Sequence, residues 1–274
     1  MISGNRVPAY GWIKGSLCGK VEVYVSIFLK NVFAPIRMVV WHNKTKGGSM
    51  RQTSTSVLIA CMSLSILLVG AAISAYAQKN GTARELDATV EKFLNENRRN
   101  WHDLNVPYKD GKTLFNLIVK NNYRRALEIG TSTGHSSIWM AWALSKTGGK
   151  LITIEIDEGR YKTALKNFKQ AGVEEFIDAR LADAHQLVKE LRGPFDFVFS
   201  DADKEWYTQY FKEVDPKLVV GGCFTAHNVT DGFGDVKTFL NYVRGLPNYE
   251  TTIDRSSSSG ISVSYKKSNA PSSR

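Results

Sequence analysis

Carboxylates and a lysine fall where apolar runs end, and that placement is the first sign of chemistry in this chain. In Ala126-Leu127-Glu128-Ile129-Gly130-Thr131-Ser132-Thr133-Gly134-His135-Ser136, an apolar run ends in an acid and two glycines and then opens a helix. The pattern is that of a strand, a tight turn and a helix N-terminus. Gly130 lets the backbone turn, Gly134 lets a ligand approach, and the N–H groups around Ser136 favour a negative group. A pyrophosphate-binding turn would want glycine where Ser132 stands, so the expected ligand is nucleotide-like without a pyrophosphate. Glu128 can take the ammonium group of an amino-acid tail. Glu155 ends the next apolar run and can accept both hydrogen bonds of a ribose diol. A further run, residues 195–200, leads into Asp201-Ala202-Asp203-Lys204. It sets a carboxylate and an ammonium close together at a strand's C-terminal end, the edge where open α/β sheets bind ligands.

The elements that must position these groups alternate along the chain. Strand patterns cover 125–130, 151–156, 176–181, 195–200 and 218–226, and helices start at Ser136, Glu158, Ala184, Lys204 and Asp235. Residues 249–255 and 261–266 flank Ser256-Ser257-Ser258-Ser259-Gly260 and read as a hairpin. The expected fold is α/β, a doubly wound, seven-stranded, mostly parallel sheet closed by an antiparallel C-terminal hairpin. Upstream, residues 83–101 carry Leu86, Val90, Phe93 and Leu94 at helical spacing and read as an amphipathic lid helix. Residues 105–111 read as a loop because of Pro107 and Gly111, and 114–120 as a second helix. The expected divisions are a helical lid over 78–122, a ligand-binding domain over 123–267 and a polar tail over 268–274.

An adenosine bearing an amino-acid tail is S-adenosylmethionine, and the spacing of Glu128, Gly130 and Gly134 resembles the first motif of the class I methyltransferases. With Glu155, Leu181-Ala182-Asp183-Ala184 and the Asp201-to-Lys204 run, residues 83–266 resemble the cation-dependent O-methyltransferases of the catechol and caffeoyl-CoA type. The resemblance implies that Glu128 and Gly130 hold the methionine part, Glu155 the ribose and Asp183 the adenine amino group. Val106 lies in a segment similar to the one that closes over the methyl donor. Thr131, Gly134, Ser136, Ile156, Ala184 and Asp201 complete the expected cofactor set. Asp201 would be a metal ligand, and Lys204 the general base or the charge that steadies a phenolate. The resemblance also suggests a homodimer. One departure stands out: where the family pattern has Asp-Asn, this chain has His227-Asn228. A divalent ion held by Asp201, His227 and Asn228 would more readily be a transition metal than magnesium, which prefers oxygen. Without a metal, an imidazole titrating at about 6.5 could take the acceptor's proton.

The net charge of +10 does not point to nucleic acid, because it is concentrated at one end. Residues 1–77 hold 8 Lys and Arg against 1 acid, leaving 28 against 25 in the remainder. Cys18, Cys61 and Cys223 lie far apart and form neither a disulfide framework nor a zinc site. Residues 57–73 are apolar, follow Met50-Arg51 and lead to Ala75-Tyr76-Ala77. Residues 50–77 therefore read as a signal peptide or an N-terminal membrane anchor, and the domain as exported, either periplasmic or secreted, or membrane-anchored. Met50 reads as the true start, with residues 1–49 as translated leader or disordered extension, lacking a clear period. The leading functional reading is O-methylation of a small phenolic acceptor. An exported, catalytically idle binding protein that kept the fold is the alternative. A nicotinamide-dependent oxidoreductase is disfavoured by Ser132 and by the Asp201-to-Lys204 run.

Overall fold

A computed structural model describes residues 13–16, 20–29, 32–41, 53–102, 104–230, 232 and 234–269, with side chains from residue 70 onward except at 72, 76, 77, 79 and 80. Met50 and residues 270–274 lie outside the described residues, as do the side chains of 57–69. The chain divides into two compact units, Met1–Ala72 and Ile73–Arg274.

The first unit holds strands β1 (Ile13–Ser16), β2 (Lys20–Leu29) and β3 (Val32–Trp41) in an antiparallel sheet of that order. A period was there to be read: Val21, Val23, Val25 and Ile27 alternate with Glu22, Tyr24 and Ser26, the two-residue repeat of a strand. Helix α1 (Thr53–Glu96) starts in this unit and continues into the second. Among the residues whose side chains are described, which leave out 57–69, no helix is long and apolar enough to cross a membrane.

The second unit continues with α2 (Tyr108–Asn121), β4 (Arg125–Ile129), α3 (His135–Thr147), β5 (Lys150–Glu155) and α4 (Glu158–Ala171). Then come β6 (Ile177–Leu181), α5 (Ala184–Glu190), β7 (Phe195–Ser200), α6 (Tyr207–Val214), β8 (Leu218–His227), α7 (Val236–Gly245), β9 (Tyr249–Asp254) and β10 (Ile261–Lys266). The seven strands follow the order β6-β5-β4-β7-β8-β10-β9. The first five pair in parallel and β10 runs antiparallel to both its neighbours, the expected architecture. Side chains alternate across the sheet. Val198 and Phe224 pack with Phe211 of α6 and Phe239 of α7 on one face, while Phe197 and Phe199 pack with Leu114, Ile118 and Met140 on the other. Val90, Phe93 and Leu94 of α1 bury against Ile138, Trp142 and Phe168, so the helix packs by the face its periodicity marked.

One boundary differs in a way that matters for the site. The expected loop 105–111 is helical from Tyr108 onward, with Pro107 at the N-cap. Gly111 is there for space rather than for turning: a Cβ at this position would lie 2.2 Å from Trp139 Cδ1. Its absence lets α2 press against α3, which carries Asp110 into the interior, 1% exposed.

Candidate active site

The C-terminal ends of the parallel strands carry two adjoining cavities. One, of about 260 Å³, is lined by Gly130, Glu155, Ile156, Asp183, Ala184 and His185, among others. The other, of about 580 Å³, is lined by Asn105, Pro107, Arg160, Asp201, Lys204, His227, Asn228 and Ser259, among others. Glu155, Ile156, Ala202 and Asp203 line both, so the two form one cleft.

In the first half, Glu155 bends back over its own turn. Its Oε2 accepts from Ser132 N at 2.7 Å, and Oε1 from Ile156 N at 3.1 Å and Asp157 N at 2.9 Å. A carboxylate offers about four lone-pair sites, which leaves room for a ligand hydroxyl. Gly130 turns with φ +101°, and a Cβ there would lie 2.8 Å from Asp201 O. Asp183 caps α5 by accepting from His185 N at 2.8 Å. The His185 ring, which no sequence motif singled out, stacks on Trp206 with centroids 3.9 Å apart.

Other residues expected to bind cofactor lie behind these cavities and line neither. Glu128 is fully buried and accepts from the hydroxyls of Ser136, Ser137 and Thr153. Burial pushes its carboxyl up and these hydroxyls pull it only part of the way back, to about 7. Thr131 is buried against Thr153. Gly134 was expected to admit a ligand, but a Cβ there would lie 2.5 Å from Phe168 Cε1, so the glycine serves the packing of α3 on α4. Val106 is buried and its carbonyl takes His135 Nδ1 at 2.8 Å. Burial lowers that histidine to about 4, and its neutral Nε2 accepts from Trp139 Nε1 at 3.1 Å. With Asn105 Nδ2 donating to Thr133 Oγ1 at 2.7 Å, the segment before α2 is fastened to the start of α3.

The second half is ionic. Asp203 caps the 3-10 turn Lys204–Trp206 through Glu205 N at 3.0 Å. That turn sends Lys204 Nζ to Asp201 Oδ1 at 3.0 Å and to Tyr207 Oη at 3.3 Å. The Tyr207 hydroxyl in turn donates to the carbonyl of His227 at 3.1 Å. His227 Nδ1 lies 3.1 Å from Asp201 Oδ2, and Nε2 lies 2.8 Å from Oδ2 of Asp110, which also accepts from Ser257 Oγ at 2.7 Å. Burial alone would lower the imidazole's pKa. The Asp201 charge, hydrogen bonds to both carboxylates and the Asp110 charge outweigh it and lift the value to about 9. Both ring nitrogens thus face a carboxylate, an arrangement that favours the protonated ring over the neutral imidazole expected from the sequence.

The expected metal set does not fit this arrangement either. A ligating histidine needs a lone pair on one nitrogen, and both nitrogens of His227 face carboxylates. Each Asp201 oxygen already faces a cationic partner, Lys204 on one and His227 on the other, with which a metal would compete. Among the described residues, no group of three or more His, Cys, Asp or Glu could hold a metal ion. Asp110 and Ser257 went unnoticed in the sequence, one in a supposed loop and the other in a serine run that signals only a turn.

Comparison with known proteins bears on the same residues. The family model described as O-methyltransferase matches residues 78–238. A catechol O-methyltransferase of Niastella koreensis is 42% identical over 40% of this chain, and the match spans 51% of that relative's length. A flavonoid 3',5'-methyltransferase of Vitis vinifera is 35% identical over 60% of this chain and 69% of its own. Among solved structures, the O-methyltransferase from Bacillus cereus in complex with SAH superposes with a TM-score of 0.58 at 27% identity, covering 66% of this chain and 91% of that one.

Proposed function

The chain belongs to the O-methyltransferase family, and from that premise we propose that it transfers the methyl group of S-adenosylmethionine to a hydroxyl of a small phenolic acceptor. The observation that carries this reading is the ion pair of Lys204 and Asp201 in the wall of a cavity that adjoins the one lined by Glu155 and Asp183. Glu155 and Asp183 would hold the ribose and the adenine, with Ile156 and Ala184 as apolar walls. The bound cofactor supplies an electrophilic sulfonium methyl group.

The protein's part is to align and to charge. An ammonium has three donors, and Asp201 and Tyr207 take two of those of Lys204, which leaves one for an acceptor oxygen. Its position beside Asp201 suits Lys204 to stabilising the negative charge that develops on the acceptor oxygen. Holding both reactants in one cleft is worth on the order of 7–11 kcal/mol in well-oriented systems. The idle-fold alternative draws no support from relatives that are named as methyltransferases.

The test is calorimetric titration of the full chain with S-adenosylmethionine, followed by an assay for methylated catechol. Binding without turnover on any phenol would reject the acceptor class, and no binding would reject the whole reading. We also propose export or anchoring through residues 57–73, supported by Met50-Arg51 ahead of the apolar run and Ala75-Tyr76-Ala77 after it. N-terminal sequencing of cell-derived protein separates a start at Gln78 from an intact anchor. Sedimentation of the same material tests the homodimer that the family resemblance suggests.

A further inference from the structure

Two elements distant in sequence close on His227. Asp110 comes from the first turn of α2 and Asp201 from the end of β7, at 2.8 Å and 3.1 Å from the two ring nitrogens. The side chains of His227 and Asp110 are 4% and 2% exposed, so water does not mediate or screen this contact to any large extent. A neutral imidazole has one N–H and one lone pair and can satisfy one carboxylate only. Facing two, it donates from both nitrogens and carries a full positive charge. Ser257, in the hairpin connection, donates to the same Asp110 oxygen and fixes it from another side.

Counted together, Asp110 and Asp201 balance Lys204 and His227. A divalent ion entering here would have to compete with a cationic partner at each Asp201 oxygen and displace the proton that two carboxylates favour on His227. We propose that His227 is a built-in cation standing in the place of a divalent ion, that Asp110 is the positioning residue that keeps it there, and that methyl transfer by this chain needs no metal. The proposal rests on the reading of this cleft as an O-methyltransferase site.

The test uses the full-length protein, stripped with chelator and titrated with magnesium, manganese and zinc chlorides by calorimetry and by thermal unfolding. A dedicated ion at about 100 times its Kd would raise Tm by roughly 5 °C or more. The expected result is no saturable heat and no such rise, with turnover unchanged in EDTA; saturable binding of one ion per chain with that rise overturns the proposal. In the His227→Asp variant an oxygen donor replaces the cation, and a manganese-dependent rise in Tm is expected. A folded His227→Asp protein indifferent to manganese would overturn the claim that His227 stands in an ion's place. Should that variant fail to fold, Asp110→Asn keeps a hydrogen-bond acceptor of the same shape. Its kcat should fall about tenfold while affinity for S-adenosylmethionine is unchanged, and an unchanged kcat removes the positioning role from Asp110. Titration of the wild type with S-adenosylmethionine separates the two failures, since loss of cofactor binding rejects the methyltransferase reading whatever the metals do.

Discussion

The half of the cleft proposed for the cofactor surrounds its carboxylate, Glu155, with backbone N–H groups of Ser132, Ile156 and Asp157, whereas the half proposed for the acceptor sets Asp201 between two cationic partners, Lys204 and His227. The first arrangement is dipolar. Each N–H is already fixed by a turn, and a ligand hydroxyl can share the carboxylate without any charge being moved. The second is a closed ionic set in which each member's charge is matched by its neighbours, so loss of one leaves another buried and unpaired. The two halves therefore divide the labour: one offers an adaptable polar wall, the other a rigid charge distribution set before the acceptor arrives.

Substitutions that remove a charge should break the acceptor half far more severely than the cofactor half. The largest effect is expected for Lys204→Ala. Loss of the ammonium that faces the acceptor should lower kcat by roughly 10²–10⁴-fold, with cofactor affinity by calorimetry unchanged. A variant that kept more than a tenth of wild-type kcat would remove Lys204 from the chemistry. Next comes Asp110→Ala, which leaves the Nε2–H of a buried imidazolium without a partner. Breaking a buried pair in this way costs about 3–5 kcal/mol, read as a shift in the urea unfolding midpoint. A cost below about 1 kcal/mol, the range of exposed pairs, would mean that the ionic half is not closed.

The same division explains what could be read in the sequence. Glu155 ends a strand and Asp183 caps the helix that follows one, and the groups around them lie within a few residues or in the neighbouring strand turn, so local pattern and family resemblance were enough to mark them. The strand-helix alternation likewise located the sheet, because most of the parallel strands are largely apolar runs bounded by polar turns. Asp110 was hidden, since its partners are 117 and 147 residues away in His227 and Ser257. Nothing local marks such a contact, and Pro107 with Gly111 suggested a loop where a helix begins. Tertiary packing decided that segment: Gly111 gives room to Trp139, and the helix follows. The imidazole's ordinary pKa misled for the same reason, because the two charges that raise it come from different elements. Glu128 was legible as an acid at a strand end, but the hydroxyls that enclose it come from α3 and from β5.

In the cofactor half, Glu155→Ala removes a carboxylate whose present partners are backbone groups able to find water. Its cost should appear in binding rather than in folding. A charged hydrogen-bond acceptor is worth about 1.5–3 kcal/mol, or roughly 10–100-fold in Kd for S-adenosylmethionine. If the variant instead lost stability while keeping cofactor affinity, the assignment of Glu155 to the cofactor would fall.

The smallest effect separates the two halves by pH. Glu128 lies behind the cofactor half as an acid whose folded pKa, about 7, is above its ordinary 4.5. The fold favours its protonated form, so its contribution to stability is complete below the lower value and is lost as pH rises through the higher one. His227 in the acceptor half is a base raised from 6.5 to about 9. Its contribution is complete below pH 6.5 and is lost as pH rises through 9. Both halves thus lose stability as pH increases, but in successive windows. Urea unfolding of the full chain from pH 5 to 9.5 should show a decline in two stages. Glu128→Gln should flatten the lower stage and leave the upper one, because His227 is held by carboxylates on other elements. A wild type whose stability stays level between pH 6.5 and 9 would mean that His227 is not held as a cation, and the contrast between a dipolar and an ionic half would collapse.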